Sequence, residues 1–508
     1  MINPTLAQYK ILISTKKFNL FNAGWGTGKT NTMGLQSSIL VTNFPNVRGL
    51  IAANTYGQLN KSTLFRVREV WKALGLTEYS DKNPQGNYII SKKPPKHFNT
   101  SFHNYDNYSN IISFLNGAIV YVGSLDNYKA LDGMEIGWAM LDETKDTKEE
   151  AVKEVIVARL RQRGMYVYKN RLSIDPLGTA FNPLYVFTSP AKTEWLSNFF
   201  ALEEYETDIV KDIHTKKGFF HVSEENRTVV VAATNTNAKN LPDNYIQDLT
   251  NSLGSHLVEA NVYGNPFAKS GGEFYVGFDR QKHVKKLSYD KELPLHVTFD
   301  ENLVPYAPCQ IWQIAKGEIR LIEEIALKDP RNNVYEVCKV LRNSYRLHES
   351  GMTVYGDATS KKGDPKLERV GRKETFFTIV KKELSNFRPR LKVPAANPNV
   401  NQRGDFLNTI LEKEIYDLKI VIDEKCVHSI ADLTYLKKDN KGKLKERVTD
   451  KNTKQTYEKY GHMSDAMDYF ICEAYKKEFS RFRKPFSREM KATISQRESK
   501  LYEEVQDE

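Results

Sequence analysis

The chain has 508 residues, of which 40% are hydrophobic and 27% charged, with a formal net charge of +11. This composition excludes wholesale disorder, and the length exceeds one ordinary core, so two domains of roughly 200 residues each are expected. The positive charge favours an acidic partner such as nucleic acid, and the 4 scattered cysteines, lacking any C-x-x-C pair, indicate neither a disulfide framework nor a zinc cluster but reduced thiols in a cytoplasmic setting.

No stretch approaches the ~18 consecutive apolar residues of a membrane span, and MINPTLAQYK lacks the apolar core of a secretory signal. Short apolar runs at Phe18 to Phe21, Gly49 to Ala53, Ala118 to Val122, Trp138 to Leu141 and Leu184 to Phe187 alternate with longer amphipathic stretches. That order predicts a mostly parallel sheet with crossover helices.

Directly after the first run comes AGWGTGKT, the end of a phosphate-binding loop in which Ala23 stands where the G-x-x-x-x-G-K-[ST] pattern has its first glycine. Gly24, Gly26 and Gly28 keep the loop permissive, so that backbone N–H groups can converge on phosphates at a helix N-terminus. Lys29 is placed to reach the β and γ phosphates of ATP, and Thr30 to ligate Mg2+. Ala23 needs only a negative φ to be tolerated.

An ATPase also needs a carboxylate for the metal and another to activate water, and WAMLDE supplies Asp142 and Glu143 at the end of a predicted strand. Upstream, Gln8 can hydrogen-bond the adenine edge. Downstream, Thr188 in TSP ends the strand LYVF, where a polar sensor would face the γ phosphate. Either residue alone also fits an ordinary cap or turn. The run Arg159, Arg161, Arg163 in VARLRQRG is compatible with an arginine finger and equally with a solvated face.

The texture changes over residues 240 to 290. NLPDNYIQDLTNSLG predicts a short amphipathic helix ending at Gly254, and YGNPFAKSGGEFY is rich in turn formers. The chain is therefore divided into an ATPase domain over 1–240, a linker or hinge over 241–290, a second α/β domain over 291–480, and a basic tail over 481–508 that is expected to be disordered.

In the second domain LHVTFD predicts a strand ending at Asp300, CQIWQIAKGEIRLIEEI a hairpin turning at Lys316 and Gly317, MTVYGD a strand ending at Asp357, and HMSDAMDYFICEAY a helix. Two-metal phosphodiester hydrolysis gathers carboxylates from separate elements, and Asp300, Asp357 and Asp465 satisfy that placement. Asp468, one helical turn after Asp465, shares its face, and His462 can approach the same cluster. Oxygen ligands suit Mg2+ or Mn2+ better than zinc. Each aspartate alone is a common cap or turn residue.

Taken together, NPTLAQYK, AGWGTGKT, MLDE, TSP, NLPDNYIQDL, YGNPF, FDENLVPY, YGDA and HMSDAMDY resemble, in that order, the large terminase subunit of tailed bacteriophages. The resemblance implies an α/β chain with an N-terminal P-loop (RecA/ASCE-like) ATPase domain and a C-terminal RNase H-like nuclease domain. It implies translocation of double-stranded DNA into a procapsid and cutting of concatemeric DNA. The implied partners are the portal protein, the procapsid and the small terminase subunit. It further implies a pentameric ring on the portal, a monomer in solution, and residence in the host cell cytoplasm with no membrane association. Lys29 and Thr30 match the phosphate and magnesium positions, Asp142 the metal carboxylate, Glu143 the water activator, Thr188 the coupling residue, and Asp300, Asp357 and Asp465 the nuclease aspartates. The family's arginine upstream of the MLDE strand is replaced here by ALDGMEIG, so the finger is expected from the Arg159 to Arg163 run or from a neighbouring subunit. Competing readings are a helicase or nucleic-acid remodelling ATPase with a non-catalytic scaffold and, ranked last, a non-catalytic capsid-vertex protein.

Overall fold

The computed structural model describes residues 3–101, 105–190, 193–269, 271–302, 304–361, 375–440, 442–450 and 453–483. They divide into two compact units, 1–271 and 272–508. Among them no helix is long and apolar enough to cross a membrane, and all four cysteines are buried free thiols.

The first unit is built on a 9-stranded sheet. The five predicted runs are the strands Phe18–Ala23, Arg48–Ala53, Ile119–Ser124, Trp138–Asp142 and Leu184–Thr188, parallel to their neighbours among themselves. Successive residues alternate between two cores: Phe21 and Ile51 enter one, Leu20 and Leu50 the other. Both faces are covered, which is why these strands read as continuous apolar runs.

Four further strands complete the sheet. Arg227–Ala232 pairs in parallel with the phosphate-loop strand, and Phe219–Glu224 closes that edge as its antiparallel partner. Tyr88–Ile90 and Ile111–Phe114 form the opposite edge. Strand Leu184–Thr188 lies between the phosphate-loop strand and the strand ending at Asp142, the additional-strand order of ASCE ATPases.

Residues 241–290 are not a free-standing linker. Tyr245–Ser252 is helical as predicted, but a second helix, Ser255–Asn261, follows, and Asn261 O accepts a 2.6 Å hydrogen bond from the Trp25 N–H of the phosphate loop. Phe274, Tyr275 and Phe278 instead enter the core of the second unit, and the chain passes from one unit to the other at Gly271 and Gly272.

The second unit has a 7-stranded mixed sheet. Leu295–Phe299 lies antiparallel to Ala307–Ala315 and parallel to Met352–Gly356. The hairpin from Ala307–Ala315 to Glu318–Leu327 turns at Lys316 (φ 49°) and Gly317 (φ 81°), the positive-φ pair that a two-residue turn demands. Helices Val334–Ser344 and Phe376–Glu383 cover one face; Val400–Lys413 and His462–Ala474 cover the other. This is the RNase H-like arrangement. The expected basic tail begins as a helix, Lys476–Arg483, because Phe479 is buried against Phe406, ring centroids 5.2 Å apart. The remainder of that tail, 484–508, lies outside the described residues.

Gly49 marks the tightest packing beside the Asp142 strand, since a Cβ there would lie 2.1 Å from Trp138 Cζ2. Gly49→Ala is expected to destabilise the first unit by about 1–3 kcal/mol, the usual cost of overpacking. Chemical denaturation of the substituted and unsubstituted chains measures the difference.

Candidate active site

The parallel strands end together, and the functional groups of the first unit collect at their carboxyl ends. A cavity of about 640 Å³ there is lined by Gln8, the loop from Trp25 to Asn31, Arg66, Glu143, Ser189, Asn237 and Leu241, among others. Ala23 closes its strand in register with Ala232 and needs no left-handed backbone. Gly26 and Gly28 adopt φ of 74° and 81°, and a Cβ on Gly24 would lie 2.7 Å from Asn261 O.

The loop's carbonyls are turned into the protein and individually engaged. Gly24 O accepts from Thr27 Oγ1 at 2.8 Å and Trp25 O from Thr234 Oγ1 at 2.8 Å. Gly26 O accepts from Asn237 Nδ2 at 2.7 Å, and Thr27 O from Gln8 Nε2 at 2.7 Å. Gln8 therefore braces the loop while lining the cavity; its Oε1 accepts from the Thr5 N–H at 2.9 Å. Thr234 and Asn237 are not legible from a loop motif because they lie some two hundred residues away, in the 3-10 helix Thr234–Asn240.

Lys29 opens the helix Lys29–Asn43. Its Nζ donates to Ala23 O at 2.9 Å and Gly24 O at 3.2 Å and lies 3.9 Å from Glu143 Oε1. Burial lowers its pKa against the opposing pull of Glu143 and Asp142. Thr30, the next residue, lines the cavity.

Asp142 is the last residue of its strand. Its Oδ2 accepts from Thr63 Oγ1 at 2.6 Å, and burial pushes its pKa up to about 6. Glu143 leaves the strand in the left-handed region, φ 50°, a conformation unusual for a non-glycine residue and held here from several sides. Its N–H donates to Phe187 O at 2.8 Å, and its carbonyl accepts from Asn54 Nδ2 at 2.8 Å. Its carboxylate accepts from Ser189 N at 3.0 Å and Ser189 Oγ at 2.8 Å.

Thr188 does not face this site. Its hydroxyl is fully buried and donates to Ser189 O at 3.0 Å, so Ser189 is the member of TSP that reaches the carboxylate. In a strand, neighbouring side chains point to opposite faces, and the one-residue difference decides which of them meets Glu143. The run Arg159 to Arg163 is also misplaced for a role within its own site. Arg159 pairs with Asp132, and Leu160 bridges Ile136, at the N-terminal edge of the strand Trp138–Asp142. The phosphate loop lies at the other edge, about 16 Å away at strand rise.

In the second unit Asp300 and Asp357 follow their strands as predicted. Thr298 Oγ1 donates to Ala466 O at 3.0 Å, fixing the helix that carries Asp465 against the first of these strands. His462 Nδ1 lies 3.3 Å from Asp300 Oδ2; burial raises the Asp300 pKa, and Asp300 raises that of His462 against the effect of burial. Asp357 accepts from Asn397 Nδ2 at 2.6 Å and from Tyr469 OH at 3.3 Å.

Asp465 meets Lys443 Nζ at 2.9 Å, Lys445 Nζ at 2.9 Å and Arg403 at 3.3 Å. These cations hold its carboxyl well below the usual carboxylate range despite burial. Asp468 is wholly buried with Lys443 at 2.8 Å, Arg403 Nε at 3.4 Å and Tyr275 OH at 2.8 Å. Among the described residues no three His, Cys, Asp or Glu side chains are grouped to hold an ion. Asp300 and Asp357 follow neighbouring parallel strands, Phe299 opposite Gly356, whereas Asp465 and Asp468 are paired in this arrangement with Lys443, Lys445 and Arg403. Lys443, in the strand Gly442–Leu444, and Lys445, just beyond it, supply the countercharge together with Arg403.

An ASCE ATPase joined to an RNase H-like unit is the class that the two folds and the first site define. Residues 20–281 match the family described as "Terminase large subunit, T4likevirus-type, N-terminal". The chain belongs to the terminase large-subunit family. Among solved structures it is similar to the large terminase of a thermophilic bacteriophage, at 14% identity with 93% of this chain and 99% of that chain covered and a TM-score of 0.35. It is similar to the HK97 bacteriophage large terminase at 11% identity, covering 93% and 95%, TM-score 0.39. Its similarity to the P22 large terminase nuclease domain is 9% identity, covering 42% and 98%, TM-score 0.28. No curated protein matches.

Two substitutions probe these contacts. Ser189→Ala is expected to lower kcat for ATP hydrolysis by about 10–100-fold with little change in KM, the loss appropriate to a hydrogen bond on a charged group; steady-state kinetics measure it. Arg403→Ala leaves Asp465 and Asp468 buried with reduced countercharge, so a loss of about 3–5 kcal/mol in the second unit is expected on denaturation.

Proposed function

We propose that this chain is a viral DNA-packaging motor subunit in which ATP hydrolysis by the first unit drives double-stranded DNA into a procapsid and the second unit cuts concatemeric DNA. The observation that carries the reading is the convergence of Lys29, Glu143 and Ser189 on one cavity, beneath a loop whose carbonyls from Gly24 to Thr27 each accept a hydrogen bond from the protein. Turning the carbonyls inward leaves backbone N–H groups to meet phosphate oxygens at the start of the helix. Lys29 exchanges the carbonyls of Ala23 and Gly24 for phosphate oxygens. Glu143, oriented by Ser189, accepts a proton from the water that attacks the γ-phosphorus, and ADP and inorganic phosphate leave.

Thr30 and Asp142 fit Mg2+, since a hydroxyl on the cavity wall and a buried carboxylate at the end of the strand Trp138–Asp142 are both oxygen donors. The ion would neutralise charge on the phosphates. In the second unit Asp300, Asp357 and Asp465 occupy the strand and helix positions of a nuclease; the carboxylates of Asp300 and Asp357 would hold Mg2+ or Mn2+, while Asp465 is paired here with the protein's own cations. The partners this reading entails are the portal protein, the procapsid and the small terminase subunit. The chain would work as one member of a pentameric ring in the host cell cytoplasm and be monomeric when free of the portal. An arginine finger then comes from a neighbouring subunit, consistent with the distance of Arg159, Arg161 and Arg163 from their own phosphate loop.

A helicase with an inert scaffold is the alternative, and paired substitutions separate the two. Lys29→Ala is expected to abolish ATP hydrolysis while cutting of supercoiled plasmid in magnesium or manganese persists; Asp357→Asn is expected to do the reverse. Cutting that survives Asp357→Asn in a folded chain removes that residue from the nuclease.

A further inference from the structure

ATP carries several negative charges, and a phosphate loop with one lysine leaves much of that charge to other groups. Among the described residues lining the cavity, Lys29 and Arg66 are the two cations. Arg66 belongs to no phosphate-binding motif. Its position follows from the segment between the strand Arg48–Ala53 and the sheet edge, where a π-helical turn, Leu59–Thr63, runs directly into the α-helix Leu64–Ala73.

Thr63 and Arg66 are three residues apart and so share one helical face. Thr63 holds Asp142 through its 2.6 Å hydrogen bond. Arg66 Nε donates to Asn31 Oδ1 at 2.7 Å, and Asn31 follows Thr30 in the helix that begins at Lys29. One helix turn thus addresses both the metal carboxylate and the start of the phosphate-loop helix. The widened π turn ahead of it sets which residues face the site, a common use of such irregularities.

We propose that Arg66 binds the phosphate chain of the nucleotide from within the same subunit, as a second cation opposite Lys29. The inference rests on reading this cavity as a nucleotide site. Sheet order decides which part of the nucleotide it meets. The segment carrying Asn237 and Leu241 follows the strand Arg227–Ala232 on one side of the phosphate-loop strand, whereas the strands leading to Ser189, Asp142 and Arg66 all lie on the other. Arg66 comes from the carboxylate side, where the phosphates must lie for Glu143 to act.

The guanidinium is available for this exchange. Its Nη1 pairs with Glu69 at 2.8 Å, with both side chains 50% exposed, and an exposed pair of this kind holds its partners weakly. Its planar fork can instead take two oxygens of a phosphate, a geometry that a lysine cannot reproduce.

Equilibrium binding of ATPγS and ADP to the full chain, with a melting midpoint for each variant, tests the proposal. Arg66→Ala is expected to weaken ATPγS binding by about 10–100-fold at an unchanged midpoint, Arg66→Lys to lose less, and Glu69→Gln, which removes only the ion pair, to stay within about twofold of the unsubstituted chain. If Arg66→Ala binds ATPγS within about twofold of the unsubstituted chain while Lys29→Ala does not, the role of Arg66 is overturned and the nucleotide site stands. If the unsubstituted chain binds neither nucleotide, the reading of the cavity fails and Arg66 with it. Should Arg66→Ala not fold, Arg66→Lys decides: binding equal to the unsubstituted chain overturns the fork contact, and a loss supports it.

Discussion

The first unit depends on where the carbonyl groups of one loop point. A backbone segment can hold an anion only if its N–H groups face the ligand, and each N–H turned outward leaves a carbonyl to be satisfied inside. Here Gln8, Thr27, Thr234 and Asn237 supply those donors for four consecutive residues. They come from the helix Leu6–Leu12, the loop itself and the segment after the strand Arg227–Ala232, so the arrangement of the phosphate site depends on contacts distant in the chain.

The same kind of contact sets the geometry of Glu143. A left-handed backbone at a non-glycine residue carries strain, and it persists where surrounding hydrogen bonds overdetermine it. Strand Leu184–Thr188 does this because it is inserted between the strands Phe18–Ala23 and Trp138–Asp142. Phe187 takes the Glu143 N–H and Ser189 takes its carboxylate. The two residues that hold Glu143 flank Thr188, so a shift of this strand end would move the Glu143 backbone and carboxylate together.

The second unit shows a different balance. Two aspartates buried one helical turn apart repel each other and lose hydration, and the fold answers with Arg403 and Lys443 inside the same core. Lys445 adds a third cation at the more exposed rim, shared with Glu458 at 2.9 Å. Part of the chain's positive charge is thus committed to the protein's own carboxylates.

The sequence by itself determined the parallel sheet of the first unit, the hairpin at Lys316 and Gly317, the helix bearing Asp465, and the placement of Lys29, Asp142 and Glu143 at element ends. These follow from local rules: both-face burial makes strands continuously apolar, and a turn needing positive φ selects glycine beside it. Tertiary structure alone decided that Gln8 braces a loop, that Ser189 and not Thr188 meets Glu143, that Arg66 and not Arg159 faces the cavity, and that Asp465 is paired with Arg403, Lys443 and Lys445. Each of these depends on which side chain points inward and on partners tens to hundreds of residues away, and neither is encoded in the spacing of a motif.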